Sequence, residues 1–188
     1  MFAGKPASGV AHQLEHLSGQ SHHTDDPLEV LRLAFALDAA HKEQVEDELI
    51  KAEIETVRTS LPDTHGVRAL RSFFARGRQI AIVSNNSSAA VWEFLESRRL
   101  SYTVEAVIGR AYRHPELMKP DPWAVNEALR SLDVKSSRAV LIGDSMTDIE
   151  AAGRARVKCI AFANKPEKRA AFTAAGVPVI TSMADIVP

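Results

Sequence analysis

The amino-acid sequence predicts an α/β protein with a parallel sheet and a helical N-terminal part. From Gly77 onward, short apolar runs alternate with segments of helical periodicity, which is typical of the strand–helix–strand units of a parallel sheet. One of these runs, residues 139–142, is unbroken, as expected for a strand buried on both faces. Residues 1–61 instead carry apolar side chains at helical spacing. We therefore expect two domains, 1–61 and 62–188.

Size and charge limit the classes of protein to which the chain can belong. Its 188 residues suit one domain, or one domain with a small insertion. The net charge of -1 argues against a general binder of nucleic acids or membrane surfaces, because such proteins carry a basic excess. Cys159 is the only cysteine, which excludes a disulfide framework and favours a cytoplasmic location. No apolar segment approaches the ~20 residues needed to span a bilayer.

The sequence of the first 77 residues predicts four helices. They are expected at 6–17, from Asp26-Pro27, at 41–59, and from Asp63 or Thr64 to Gly77. Asp26-Pro27 is typical of a helix start, with aspartate as the N-cap and proline in the first turn. The helix at 41–59 places apolar residues on one face and many Glu and Lys on the other. We interpret the second and third helices as a lid or a packing hairpin.

Beyond Gly77 the sequence predicts five strands and five helices. The strands are expected at 79–83, 104–108, 139–142, 158–162 and 178–180. The helices are expected at 87–98, 122–132, 148–154, 166–175 and 183–186.

Two aspartates follow the strand at 139–142. The apolar run ends in Gly143-Asp144, and Asp148 comes four residues later, at the start of a helix rich in small residues. Both carboxylates would project from the carboxyl end of one strand, the edge where ligands bind in open α/β sheets. Clustered carboxylates repel each other unless a cation or a basic side chain lies between them, which makes a hard divalent ion such as Mg²⁺ a reasonable occupant. The alternative is that Asp144 and Asp148 only cap the helix.

Two further polar segments are candidates for phosphate binding. Ser84-Asn85-Asn86-Ser87 joins the strand at 79–83 to a helix start, where a hydroxyl and free backbone N–H groups can cradle an anion such as phosphate. Taken alone, such a segment is more often an N-cap and a turn. Lys119, ahead of Pro120, could neutralise a phosphate, and its alternative is an exposed lysine before a proline-initiated helix.

In this order, the three segments resemble the motifs of the haloacid dehalogenase (HAD) superfamily. The resemblance extends from about residue 62 to the end of the chain and is most specific in IGDSMTDIEAA, residues 142–152. It is greatest to the phosphoglycolate phosphatase and phosphoglucomutase-like branches, which carry a helical cap near the N-terminus. The resemblance implies a Rossmann-like core with a parallel sheet, plus a small cap formed by the helices between Asp26 and Leu61.

The resemblance also implies a chemistry and a role for each motif. Ser84 matches the second motif, Lys119 the third, and Asp144 with Asp148 the fourth. Ser84 and Asn85 would bind phosphate, Lys119 would bridge the phosphate and the acid, and Asp144 would ligate Mg²⁺. Asp148 would support the metal or orient Lys119. The substrate would be a small phosphorylated metabolite, and Ser84, Lys119 and Asp144 should converge on one pocket at the carboxyl edge of the sheet.

One part of the family pattern is missing from this sequence. The first HAD motif is a strand ending in Asp-x-Asp that precedes the cap and supplies the nucleophile and the general acid and base. Asp25-Asp26 lacks a preceding apolar run, and Asp38 lies within helical periodicity. We therefore expect a phosphohydrolase that is N-terminally truncated and inactive as given, with a sheet that lacks its central strand. The alternative is a non-catalytic HAD-like protein that binds phosphate or a partner.

Two further expectations concern arginines. The family pattern has glycine where Arg156 stands, and an arginine in a left-handed backbone there would cost on the order of 1 kcal/mol. In the loop before Lys119, Arg110, Arg113 and His114 could meet an anionic substrate, although loop arginines are more often solvated. Arg110 and Arg113 are expected on the rim of the pocket. The sequence indicates neither the identity of the substrate nor the oligomeric state.

Overall fold

The computed structural model describes residues 7–19, 23–38 and 41–187, which form eight α-helices and five parallel strands. The helices are α1 (Ala7–Ser18), α2 (Pro27–Ala36), α3 (Lys42–Thr59), α4 (Thr64–Ala75), α5 (Ser88–Ser97), α6 (Trp123–Ser131), α7 (Met146–Arg154) and α8 (Lys168–Ala174). The strands are β1 (Ala81–Val83), β2 (Ala106–Ile108), β3 (Val140–Gly143), β4 (Lys158–Phe162) and β5 (Val179–Ile180). The predicted α/β class is confirmed. None of the described helices combines the length and the apolar character needed to cross a membrane.

The chain divides into two compact units. The first comprises the described residues of Met1–Leu61, Ser84–Ser101 and Gly109–Glu116. The second comprises the described residues of Pro62–Val83, Tyr102–Ile108 and Leu117–Pro188. The simpler division into domains 1–61 and 62–188 stays a prediction.

The first unit is built around helices α1, α2 and α3. Their apolar faces form one core, which includes Val10, Leu14, Val30, Leu31, Val45 and Leu49. Asp26 caps α2 as predicted, because its Oδ1 accepts the N–H of Leu28 at 3.0 Å. Helix α3 also packs against α5. Two of its glutamates, Glu46 and Glu53, are buried, so the prediction that its charged residues lie on the outer face is wrong for these two.

The second unit contains all five strands, in two sheets. β1 pairs with β2, and β3 pairs with β4, which in turn pairs with β5. Helix α6 packs on β1 and β2, and α7 packs on β3 and β4. The small side chains of Ala151 and Ala152 let α7 lie close to these strands, in a core that includes Val125, Val157 and Cys159.

The strands β1 and β3 belong to different sheets, and the described residues provide no strand that pairs with both. This is the gap expected of a sheet that lacks its central strand. Ala7–Ser18 is helical, so residues 7–9 do not fill it, and residues 1–6 lie outside the described residues.

Several predicted boundaries differ from the observed ones for local reasons. Helix α7 begins at Met146 and not at Asp148, because Ser145 is the N-cap and Asp148 lies inside the first turn. β1 and β2 each begin two residues later than predicted, although the Glu105 N–H still donates to the Ile80 carbonyl at 2.8 Å. Met183–Ile186 forms a 3-10 helix, as four residues are too few for a stable α-helix.

Candidate active site

A buried ion pair between Lys119 and Asp148 lies at the carboxyl ends of β1 and β3. Lys119 Nζ donates to Asp148 Oδ1 at 2.6 Å and to the carbonyl of Val83, the last residue of β1, at 3.3 Å. The two side chains are only 10% and 7% exposed. A buried charge requires such partners, because removing it from water is costly. The ammonium group of Lys119 is therefore held at one defined position.

The second carboxylate oxygen of Asp148 caps helix α7. Asp148 Oδ2 accepts the backbone N–H groups of Asp144 and Ser145, each at 3.0 Å, and the Ser145 hydroxyl at 2.7 Å. Ser145 Oγ accepts the Asp148 N–H at 3.2 Å in return, which completes a capping box. Asp148 therefore caps the helix, but it does not only cap it, because its other oxygen binds Lys119. Since both of its oxygens are engaged, the contacts favour the orienting role over metal ligation.

Glycine is required at position 143 because there is no space for a side chain. Its backbone conformation would not by itself exclude other residues. A Cβ atom at this position would lie 2.3 Å from Asp148 Cβ and 2.9 Å from Asp148 Oδ2. The neighbouring atoms belong to a side chain that is fixed by Lys119 and by the capping box. Only glycine therefore allows Asp148 to fold back over the end of β3.

Asp144 presents the more accessible carboxylate, with a side chain that is 52% exposed. Its Oδ2 accepts from Asn164 Nδ2 at 2.9 Å and from Lys168 Nζ at 3.1 Å. Lys168 also donates to the Asp144 carbonyl at 2.7 Å. Sequence reasoning missed both partners. Asn164 follows the end of β4 closely, so the rule that ligands bind at the carboxyl edge could have identified it.

The carboxylate oxygens at this site meet part of what a hard cation requires. Mg²⁺ binds proteins through one or two carboxylates and keeps several water ligands. Asp144 fits that requirement as a single half-exposed carboxylate. Within the described ranges, no three or more His, Cys, Asp or Glu side chains converge on a common point. A metal here would depend on Asp144, on water and on oxygens from the substrate.

The segment from Ser84 to Ser88, called here the Ser84 loop, leads into helix α5 in the first unit. Ser84 Oγ accepts the Asn86 N–H at 3.1 Å, which forms a turn, and Ser87 Oγ accepts the Ala90 N–H at 3.3 Å as the N-cap of α5. The turn and cap interpretation is thus correct. It is compatible with an anion site, because the positive end of the α5 dipole lies at this loop.

The structure brings three of the predicted site residues together. Lys119, Asp148 and Asp144 form one hydrogen-bonded cluster in the second unit. Ser84 and Asn85 belong to the first unit. Ser84 directly follows Val83, whose carbonyl accepts from Lys119. The convergence of Ser84 with Asp144 on one pocket stays a prediction.

The loop before Lys119 differs from its expected solvated state at one position. The Arg110 side chain is only 1% exposed and forms ion pairs with Glu46 at 3.2 Å and Glu53 at 2.7 Å, so it is not a rim residue. Arg113 is half exposed and pairs with Glu43 at 2.8 Å. The sequence signal that was missed is the spacing of the two glutamates, which lie seven residues apart and so fall on the same helix face.

His114 is exposed, as expected of a solvated loop residue, and its Nδ1 lies 2.8 Å from Glu116 Oε1. The hydrogen bond from His114 lowers the pKa of the Glu116 carboxyl from its usual value. Nothing in these contacts assigns a substrate to either residue.

Solved structures with a similar fold cover nearly the whole chain. A variant of CbbY from Rhodobacter sphaeroides in complex with xylulose-(1,5)bisphosphate superposes with a TM-score of 0.71 at 15% identity, over 96% of this chain and 88% of that one. A HAD hydrolase from Entamoeba histolytica gives a TM-score of 0.73 at 13% identity, over 98% and 89%. At these identities the similarity establishes the fold.

Sequence relatives are phosphoglycolate phosphatases. The enzyme of Pseudomonas fluorescens is 29% identical over 138 residues, which are 69% of this chain and 49% of the relative. That of Vibrio parahaemolyticus is 35% identical over 101 residues, 53% of this chain and 39% of the relative. The chain thus spans about half the length of the curated relatives it matches. The family of haloacid dehalogenase-like hydrolases matches residues 11–162, and the chain belongs to this family.

Proposed function

We propose that this chain carries the phosphate- and metal-binding residues of a cytoplasmic, Mg²⁺-dependent phosphatase that acts on a small phosphate ester. The observation that carries the proposal is the buried Lys119–Asp148 pair with the half-exposed carboxylate of Asp144 beside it. An ammonium fixed next to an accessible carboxylate can neutralise a phosphate on one side and hold a cation on the other.

Each residue would contribute a separate part of phosphate binding. Lys119, oriented by Asp148 and by the Val83 carbonyl, would donate to a phosphate oxygen. Ser84 and Asn85, at the N-terminal end of α5, would bind the remaining oxygens. Asp144 would hold Mg²⁺, which when bound polarises the phosphoryl oxygens and neutralises their charge. Lys168 would have to leave the Asp144 carboxylate, at least in part, to make room for the metal.

The covalent step needs a carboxylate that is free to attack phosphorus. Asp148 is engaged through both oxygens, and Asp144 would serve the metal. The sequence contains no Asp-x-Asp segment. We therefore expect almost no phosphatase turnover from these 188 residues, because the loss of a covalent nucleophile removes most of the rate enhancement.

The relatives support a small phosphate ester as the substrate class. The curated relatives are named phosphoglycolate phosphatases, and a structural neighbour was solved with a sugar bisphosphate. We propose a phosphorylated metabolite of this size, without choosing among them.

The test compares the 188-residue chain with a version extended upstream to include a strand ending in Asp-x-Asp, using an aryl phosphate with Mg²⁺. We expect turnover only from the extended protein, and its loss on Asp144→Asn. Asp133→Asn, a substitution at an exposed aspartate outside the cluster, should leave the rate unchanged. An inactive extended protein that still binds phosphate would favour a non-catalytic phosphate-binding protein instead.

A further inference from the structure

One arginine and two glutamates form a buried cluster in the first unit. Arg110 Nε donates to Glu46 Oε1 at 3.2 Å, and Arg110 Nη1 donates to Glu53 Oε1 at 2.7 Å. None of the three side chains is more than 1% exposed. A buried cluster of this kind contributes little net stability, because the cost of desolvation offsets the Coulomb attraction. The cluster therefore adds little to the free energy of unfolding, and its main effect is on the groups that it holds in place.

The cluster binds the backbone of the Ser84 loop at three consecutive residues. Arg110 Nη1 donates to the Asn85 carbonyl at 2.9 Å, and the Arg110 N–H donates to the Asn86 carbonyl at 2.8 Å. Glu53 Oε2 accepts the Ser87 N–H at 2.9 Å. Arg110 and Glu53 thus bind backbone atoms of the loop. These contacts do not depend on which side chains the loop carries.

Gly109, the neighbour of Arg110, shows how closely the two segments approach. Its N–H donates to Ser88 Oγ at 2.9 Å. A Cβ atom on Gly109 would lie 2.2 Å from the Ser88 nitrogen and 2.7 Å from the Asn86 carbonyl oxygen. These are backbone atoms, which cannot move aside as a flexible side chain could. The loop is therefore fixed by direct backbone contact as well as by the charged cluster.

The charges of the cluster are unequal, since two carboxylates face one guanidinium. Glu46 Oε2 accepts the Arg113 N–H at 2.7 Å, and Glu53 Oε2 accepts the Ser87 N–H. Arg110 Nη2 is buried and lacks a hydrogen-bond partner among the described residues. Glu53 and the Asn85 carbonyl thus orient the guanidinium. In this orientation its Nη2 group makes no hydrogen bond to the described residues.

We propose that Glu53 and Arg110 are positioning residues that fix the backbone of the Ser84 loop for binding a phosphate group. The inference rests on the proposed phosphate-binding role of Ser84 and Asn85. A loop that is already ordered binds its ligand without the entropic cost of ordering it. Glu53 lies on helix α3, so the helix predicted to belong to the cap also determines the shape of the loop.

The test measures amide hydrogen exchange in the Ser84 loop and binding of inorganic phosphate with Mg²⁺, both on the 188-residue chain. In Glu53→Leu, Arg110 still pairs with Glu46. Because the two remaining buried charges cancel, this variant should fold. We expect the Ser87 amide to exchange about tenfold faster and phosphate to bind about tenfold more weakly, as a hydrogen bond to a charged acceptor is lost. Glu53→Gln keeps one oxygen for the Ser87 N–H but turns its NH2 group toward the Arg110 donor, so it should restore both readouts only in part.

A matched control is available on the same two helices. Arg58 of α3 pairs with Glu93 of α5 at 2.9 Å, but the side chains are 60% and 32% exposed. Glu93→Leu should change neither readout, because surface pairs contribute little. If Glu53→Leu does not fold, the whole cluster is replaced by Arg110→Met, Glu46→Leu and Glu53→Leu, since apolar substitution of a complete buried cluster is tolerated.

The outcomes separate this inference from the proposed function. A folded Glu53→Leu chain with wild-type exchange at Ser87 would overturn the inference, and so would faster exchange with unchanged phosphate affinity. A wild-type chain that binds no phosphate would count against the proposed function. In that case exchange at Ser87 alone decides whether Glu53 fixes the loop.

Discussion

The two carboxylate oxygens of Asp148 serve different purposes. Oδ1 binds Lys119, and Oδ2 caps helix α7 through the backbone of Asp144 and Ser145. The cap fixes the carboxylate, and the fixed carboxylate in turn fixes the lysine. Helix formation and lysine positioning are therefore coupled at this residue, so a substitution here would disturb both.

Gly143→Ala is predicted to destabilise the protein by about 1 to 3 kcal/mol, as an overpacked buried site does. The added methyl group would lie 2.3 Å from Asp148 Cβ, and Asp148 cannot move without losing Lys119 and the helix cap. Urea unfolding measures the loss. In Gly153→Ala, on helix α7, the added methyl group would meet nothing within 4 Å, so this variant should instead stabilise the protein by about 1 kcal/mol. Equal midpoints for the two variants would contradict the steric argument.

Cys159 is predicted to be unreactive toward thiol reagents at pH 8 in the folded protein. Burial raises the pKa of the Cys159 thiol to about 11, and the negative charge of Asp148 adds to the shift. An unfolded thiol ionises at about pH 8.5. Between these pH values the native state holds a proton that the unfolded state has lost, so the free energy of unfolding should fall as the pH rises through this window.

The measurement for Cys159 is the rate of labelling with and without urea, followed by urea unfolding between pH 8 and 11. The variant Cys159→Ala provides the control, because it should show a weaker loss of stability over the same range. Rapid labelling of the folded chain at pH 8 would show that the thiol is accessible and ionised, contrary to its buried position.

At the level of single residues, the sequence predicts those site residues that lie close together along the chain. Asp144 and Asp148 lie four positions apart; Asp144 directly follows β3, and the Asp148 carboxylate reaches back from α7 to the Asp144 N–H. Asn164 and Lys168 were missed because their contact with Asp144 joins residues at least 20 positions apart. Such a contact depends on the pairing of β3 with β4, which periodicity alone does not give.

The secondary-structure elements follow their sequence patterns closely, and the differences occur at the ends. β4 has the predicted bounds, whereas α7 starts earlier because its N-cap is Ser145. The buried face of α3 was harder to predict. Glutamate is normally solvated, so Glu46 and Glu53 count as exposed until their partner, Arg110, is known.

Arg156 lies in the connection between α7 and β4. Arg156→Gly is predicted to stabilise the protein by about 0.5 to 1 kcal/mol. Arg156 stands where the family resemblance implies glycine; its φ is 57°, a left-handed backbone, and its side chain is exposed. Glycine would remove the steric strain at little cost in contacts. Thermal unfolding checks this result.

The control for Arg156→Gly is Arg71→Gly on the exposed face of α4, where the backbone is helical. There glycine should destabilise by about 1 kcal/mol. Destabilisation at both positions would mean that Arg156 makes a contact that offsets its strain.

At the scale of the whole molecule, β1 and β3 are both edge strands of their sheets, and the outer edge of each has no partner among the described residues. β1 pairs only with β2, and β3 pairs only with β4. Val140, the first residue of β3, is 54% exposed. Unpaired backbone N–H and C=O groups cost about 1 to 3 kcal/mol each where they are shielded from water. These edges are therefore where added pairing would stabilise the protein most.

We predict that a version extended upstream by an apolar strand ending in Asp-x-Asp unfolds at a higher urea concentration than the 188-residue chain. A strand between β1 and β3 would pair with both and bury apolar surface on both faces, so the slope of the unfolding free energy against urea should also increase. Replacing two apolar residues of the added strand by lysine should abolish the gain, because the strand would no longer be buried. If the extended and the 188-residue proteins unfold with the same midpoint and slope, the extension does not join the sheets, and the nucleophile would have to reach Lys119 and Asp144 by another route.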